Sequence, residues 1–213
     1  MEDNYRHQGK RKLLAEKLAL KGIKDQQVLD AIASIPRHLF LDSSFEDHAY
    51  QDKAFPIAAG QTISHPFTVA FQTELLQVKK GEKILEVGTG SGYQAAVLKH
   101  LGAKVYTIER QHELYKKTRN FLNKIGYSPK YFTFGDGYQG IKTYAPYDKI
   151  IVTAGAPYIP KNLLAQLKIG GRLVIPVGED PQIMTLLIRK DSKKFEKHTY
   201  GEFRFVPLLE NKN

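Results

Sequence analysis

Three observations predict an α/β fold, a doubly wound and mostly parallel sheet. Short apolar runs at 84–87, 105–108, 131–134, 150–152 and 173–177 alternate with polar, helix-compatible stretches, the pattern of parallel strands joined by crossovers. The first run leads directly into Gly88-Thr89-Gly90-Ser91-Gly92, where such a sheet turns from strand to helix. Two last β-rich runs, 183–189 and 195–208, have no helical stretch between them. An antiparallel pair is therefore expected at the end of the sheet.

The elements before the sheet read as helices and an ordered loop. Leu13, Leu14, Leu18 and Leu20 precede Gly22, and Asp25 opens a segment carrying Val28, Leu29 and Ile32; both segments carry the signals of packing helices. The stretch 38–61 is too long for a simple connection and is expected to be a binding element. Pro66 suits the first turn of a helix reaching Val78, because the N–H it lacks has no helical partner there. Within the sheet region, crossover helices at 93–101 and 113–125 stop at Gly102 and Gly126. No repeat or linker interrupts the 213 residues, so one domain is expected. It divides into an N-terminal helical and loop region (1–80), a core (81–180) and C-terminal strands (181–213).

Composition narrows the function classes. Hydrophobic residues at 42% and charged residues at 25% are ordinary for a globular protein. The absence of cysteine excludes disulfides, thiolate metal sites and a cysteine nucleophile. No metal is expected. No apolar run approaches the ~20 residues of a membrane span, and MEDNYRHQGKRKLL lacks the apolar core of a signal peptide. A cytoplasmic enzyme without a membrane partner is expected. The net charge of +10 lies entirely after residue 60: the first 60 residues hold 9 basic and 9 acidic side chains, the remainder 23 and 13. Such a surface steers acidic partners toward it, or is simply a solvated lysine face.

The glycine turn and three acids carry the chemistry. Glycines let the backbone approach a ligand at the carboxyl end of the first strand. The third glycine follows the second by two positions, not the three of a dinucleotide fingerprint, and Glu86 precedes the turn. A carboxylate there repels a pyrophosphate and attracts a cationic amine. S-adenosylmethionine, with an amine, a sulfonium and no phosphate, fits that environment better than a nicotinamide dinucleotide. Glu109 ends the second strand about 20 residues past the loop, the usual spacing for an acid that accepts ribose hydroxyl protons. Asp136, beside Gly137 at the end of the third strand, is placed to accept from an adenine amino group, although Gly-Asp-Gly is also a plain turn sequence.

Other segments carry a more specific signal: Ile35-Pro36-Arg37-His38-Leu39-Phe40, Tyr50-Gln51-Asp52-Lys53-Ala54-Phe55-Pro56-Ile57 and Gly60-Gln61-Thr62-Ile63-Ser64-His65-Pro66. Val152-Thr153-Ala154-Gly155-Ala156-Pro157 and Arg204-Phe205-Val206-Pro207-Leu208 follow in order. Over nearly its whole length the chain resembles the protein-L-isoaspartate O-methyltransferase family, class I methyltransferases with a Rossmann-like sheet. Ala58-Ala59 and His65 depart from the commoner family residues.

The resemblance implies a methyl donor, S-adenosylmethionine, held by Glu86, Gly88, Thr89, Gly90, Ser91, Gly92, Glu109, Asp136, Gly137, Thr153 and Ala154. It implies an acceptor, the free α-carboxylate of isoaspartyl residues in damaged proteins. Ser64 is the implied active-site serine, with Thr62, Ile63, His65, Val206, Pro207 and Leu208 completing the substrate groove. A helix N-cap is the alternative local role for Ser64. A monomer and no nucleic-acid partner are expected. Against a nucleic-acid methyltransferase stand the missing cysteine and the Thr-Ala-Gly-Ala-Pro segment where amino-group enzymes carry Asp/Asn-Pro-Pro-Tyr.

Overall fold

Two capped helices open the chain in the computed structural model, which describes residues 2–213. In α1 (Tyr5–Leu20) the Asn4 side chain accepts the His7 N–H; in α2 (Gln26–Ser34) Asp25 accepts from Gln27 and Val28. These caps satisfy N–H groups that have no helical partner. Leu14 and Leu18 of α1 bury against Val28 and Ile32 of α2 in one apolar cluster.

The stretch expected to be a loop is an ordered layer. It contains 3-10 turns at Arg37–Phe40 and Ser43–His48, then β1 (Phe55–Pro56), a turn at Ala58–Gly60 and β2 (Thr62–Ile63). The two short strands pair antiparallel, Phe55 opposite Ile63, forming a second small sheet absent from the sequence reading. Phe55 and Ile63 point into the N-terminal cluster. Helix α3 (Pro66–Leu76) begins at Pro66 as expected but ends two residues short of Val78, because Gln77 adopts a left-handed conformation at φ 53°.

The main sheet follows as β3 (Lys83–Val87), α4 (Tyr93–His100), β4 (Lys104–Glu109), α5 (His112–Lys124), β5 (Tyr131–Phe134), β6 (Tyr147–Val152), α6 (Lys161–Ala165), β7 (Leu167–Val177), β8 (Gln182–Arg189) and β9 (Phe195–Phe203). Its order is β5-β4-β3-β6-β7-β8-β9. The five strands β5 to β7 are parallel, and β8 and β9 add antiparallel at one end. The chain leaves β3 for neighbours on both sides, so a crevice opens at the carboxyl end of β3.

Alternation along the strands divides the core. Ile84, Ile151 and Val174 face a cluster with Leu76 of α3 and Leu98 of α4; Leu85, Ile150 and Leu173 face the opposite cluster with Leu163 of α6. This is the period of two expected for strands buried on both faces. The N-terminal layer packs on α4 and α5 through Tyr93, Val97 and Leu122, which brings 61–64 to the crevice. Among the described residues no helix is long and apolar enough to cross a membrane.

Candidate active site

The glycine turn is held from three sides. The Gly88 N–H donates to Ile108 O at 3.0 Å, and the Gly92 N–H to Thr89 O at 2.8 Å. Thr153, just past β6, donates its hydroxyl to Gly88 O at 2.5 Å. A Cβ on Gly88 would lie 2.6 Å from that hydroxyl oxygen, at a φ of +95° that side chains avoid. Thr118 on α5 bonds Gly90 O at 2.7 Å. The turn is thus tied to β4, to the end of β6 and to α5.

A cleft with about 800 Å³ of empty space, open solvent included, lies over this turn. Its walls include Gly88, Thr89, Gly90, Ser91 and Glu109 on the cofactor side, with Gly137, Thr153 and Ala154 beyond. Thr62, Ile63 and Ser64 form another wall, and Val206, Pro207 and Leu208 a third. The Glu109 carboxylate accepts the Gly90 and Gln111 N–H groups, each at 2.8 Å, so its orientation is fixed at the end of β4.

Three residues assigned to the cofactor lie outside the cleft wall. Glu86 is buried beneath the turn: one carboxyl oxygen accepts from Thr107 Oγ1 at 2.6 Å, and the other has no partner. Burial raises its pKa to about 8, opposed by the Thr107 hydrogen bond and assisted by the charge of Glu109. Burial thus favours the neutral form of the carboxyl, and its link to the cleft runs through two hydroxyls. Thr107 contacts Thr89 Oγ1 at 2.6 Å, and Thr89 lines the cleft. Gly92 packs inward, where a Cβ would meet Leu122 and Thr118 at 2.9 Å. Asp136 accepts the Tyr138 N–H at 2.9 Å and caps the 3-10 turn Gly137–Gln139.

Ser64 lines both this cleft and a smaller neighbour bounded by Ala54, His65, Thr68, Arg204, Phe205 and Val206. It is half-buried, and it does not cap α3. His65 occupies the N-cap position without a side-chain bond, and Asp52 accepts the Phe67 N–H at 2.8 Å instead. That arrangement releases the Ser64 hydroxyl from a structural duty. His65 is exposed, and its Nδ1 donates to Asp52 O at 3.2 Å.

The C-terminal wall departs from the expected 195–208 strand. β9 stops at Phe203, and the following segment crosses to the residues after β6: Gly155 N donates to Val206 O at 2.8 Å, and Leu208 N to Gly155 O at 2.7 Å. These bonds carry 206–208 to the cleft. Gln61, Gln72, Tyr93, Gln94 and Arg110 also stand in the wall, beyond the residues expected from the motifs. Tyr93 follows the glycine turn and Arg110 follows Glu109, so adjacency to the motif residues was the available signal.

A family model described as Protein-L-isoaspartate(D-aspartate) O-methyltransferase matches residues 8–213. The chain is 73% identical over 213 residues to a protein-L-isoaspartate O-methyltransferase of Christiangramia forsetii, covering 100% of both chains. It is 70% identical, with the same coverage, to one of Flavobacterium johnsoniae. A solved protein-L-isoaspartate O-methyltransferase superposes with a TM-score of 0.86 at 29% identity, over 94% of this chain and 66% of its own. A Plasmodium falciparum structure in complex with S-adenosyl-L-homocysteine shares the fold at a TM-score of 0.82 and 24% identity, over 99% of this chain and 100% of that one. With full-length relatives at this identity and a matching family model, the chain belongs to the protein-L-isoaspartate(D-aspartate) O-methyltransferase family.

Proposed function

We propose that the large cleft holds S-adenosylmethionine, and that Ser64 holds the free α-carboxylate of an isoaspartyl residue for methylation. The observation that carries this assignment is the position of Ser64, shared by the cleft over the glycine turn and the smaller cleft beside it. One side suits the donor and the other a peptide.

The residues present fit the donor. Glu109 offers a fixed carboxylate for ribose hydroxyls, the glycine turn offers close backbone approach, and Val69, Ile108 and Leu208 offer apolar surface. When bound, S-adenosylmethionine supplies an electrophilic methyl group on a sulfonium centre.

The chain's own work is placement. A carboxylate with a pKa near 3.5 to 4 is already ionised at neutral pH, so no residue need remove a proton. The Ser64 hydroxyl donates a hydrogen bond to one carboxylate oxygen and orients the other. Confinement between 62–64 and 206–208 excludes water and fixes the approach. The resulting methyl ester is attacked at its carbonyl by the neighbouring backbone amide nitrogen, methanol leaves as the succinimide closes, and water can then open that ring to a normal aspartyl linkage.

Ser64→Ala tests the assignment. Its methylation of an isoaspartyl peptide should fall 10-fold or more, roughly the value of a lost hydrogen bond to a charged group, while S-adenosylhomocysteine binds as in the parent. The parent's product should release methanol in mild alkali. Unchanged turnover in the folded variant, or a base-stable product, contradicts the proposal.

A further inference from the structure

A buried cation stands behind Ser64. Arg37 is fully buried. Its Nε donates to Ala49 O at 3.1 Å, and its Nη2 to Lys53 O at 3.3 Å and to Ser64 O at 2.8 Å. The guanidinium lies 4.8 Å from the centroid of the Tyr93 ring, and Nη1 has no partner. Burial lowers the Arg37 pKa to about 10, and burial raises that of Tyr93 to about 12. At neutral pH the guanidinium is charged and the phenol is not.

Among the described residues no carboxylate cancels this charge by direct pairing. Asp52 is the acid whose charge Arg37 feels, but that carboxylate is engaged by the Phe67 N–H at 2.8 Å and by Lys21 Nζ at 2.6 Å. A buried ion held only by carbonyl dipoles and an aromatic face is costly to keep. Its field is also weakly screened and reaches the neighbouring site. Both Ser64 and Tyr93 line the cleft.

We propose that Arg37 is a positioning and specificity residue for the acceptor: its hydrogen bond fixes the Ser64 backbone, and its unpaired charge favours a carboxylate at the Ser64 hydroxyl. This rests on the reading that Ser64 holds the acceptor carboxylate. Arg37 touches no substrate; it acts through Ser64 and through the potential it sets there. The guanidinium fork also ties together three points of the substrate layer, Ala49, Lys53 and Ser64, that a lysine could not hold simultaneously.

The test separates charge from architecture. Affinities of the S-adenosylhomocysteine-saturated enzyme are compared for an isoaspartyl peptide and the same peptide with that α-carboxylate replaced by a carboxamide. The parent should prefer the carboxylate by about 10-fold or more. Arg37→Met should lose most of that preference, Arg37→Lys should keep a large part of it, and S-adenosylhomocysteine affinity should stay within about twofold in both. In the parent alone, the preference should persist from about 50 to 500 mM salt, because a buried charge is little screened. A preference retained in Arg37→Met, or a parallel loss of both peptides and of S-adenosylhomocysteine, overturns the proposal. So does a parent preference that vanishes at high salt, which would assign it to exposed Arg204 and the surface lysines even if Arg37→Met does not fold. If the parent fails to methylate the isoaspartyl peptide at all, the site reading itself fails, and the Arg37 proposal with it.

Discussion

Replacing Glu86 with glutamine probes the electrostatics beneath the glycine turn. Glu86 has a pKa near 8 in the folded chain against 4.5 for an ordinary glutamate, so folding draws a proton onto it between those pH values. The folded state then binds more protons than the unfolded one, and stability falls as pH rises. The contribution is fully present below about pH 4.5 and is lost as pH passes through about 8. A shift of this size sets a ceiling of about 5 kcal/mol at 1.36 kcal/mol per pKa unit. Relaxation and water entry around a buried charge leave an expected effect on the order of 1–3 kcal/mol. Glutamine is close to isosteric, keeps an acceptor for Thr107 Oγ1 and cannot titrate. Denaturant unfolding of both proteins at pH 5, 7 and 9 isolates the group, because other titrations cancel in the difference. The variant should match the parent or be slightly less stable at pH 5 and be the more stable at pH 9. A pH-independent difference, or a variant that loses ground as pH rises, would refute the assignment of a neutral Glu86.

Other perturbations follow from the same geometry. Glu109→Ala should weaken S-adenosylhomocysteine binding by about 1–3 kcal/mol in calorimetry, and Asp136→Ala and Glu86→Gln should each weaken it less, since both residues lie outside the cleft wall. Gly88→Ala places a Cβ 2.6 Å from Thr153 Oγ1; cofactor affinity should fall together with a stability loss of about 1–3 kcal/mol, read by denaturant unfolding. Asp52→Ala should cost about 1 kcal/mol of stability by uncapping α3, whereas Ser64→Ala should cost little, since Ser64 makes no such cap.

The main sheet was legible because its information is local. Alternating apolar runs and the glycine turn predicted β3, β4, β5 and β8 to within a residue at each end and the antiparallel end of the sheet, but started β6 three residues late and β7 six residues late. The parts that were not legible depend on distant partners. Nothing in the run 195–208 announces that it breaks at Phe203, because the break is stabilised by hydrogen bonds to Gly155. Ser64 before His65-Pro66 has the local look of an N-cap, yet the capping acid, Asp52, comes from the preceding layer. Glu86 at a strand end reads as a carboxylate for a cationic ligand; its burial beneath the turn, which raises its pKa, depends on how the sheet packs. Arg37 was visible within a family-like segment, but its duty appears only once Ala49, Lys53 and Ser64 converge on it.

Recognition of a misplaced carboxylate can be read from a pair of isomeric peptides. An isoaspartyl peptide and its normal aspartyl counterpart have the same mass and formal charge, so steering by the basic surface treats them alike. Only the position of the carboxylate relative to the rerouted backbone differs, and the cleft between 62–64 and 206–208 must read it. With S-adenosylmethionine labelled in its methyl group, the isoaspartyl peptide should acquire base-labile label and the aspartyl peptide essentially none. The rate should change little between about pH 6 and 8, because the acceptor is ionised throughout that range. Equal labelling of the two peptides, or label that survives alkali, would contradict the account.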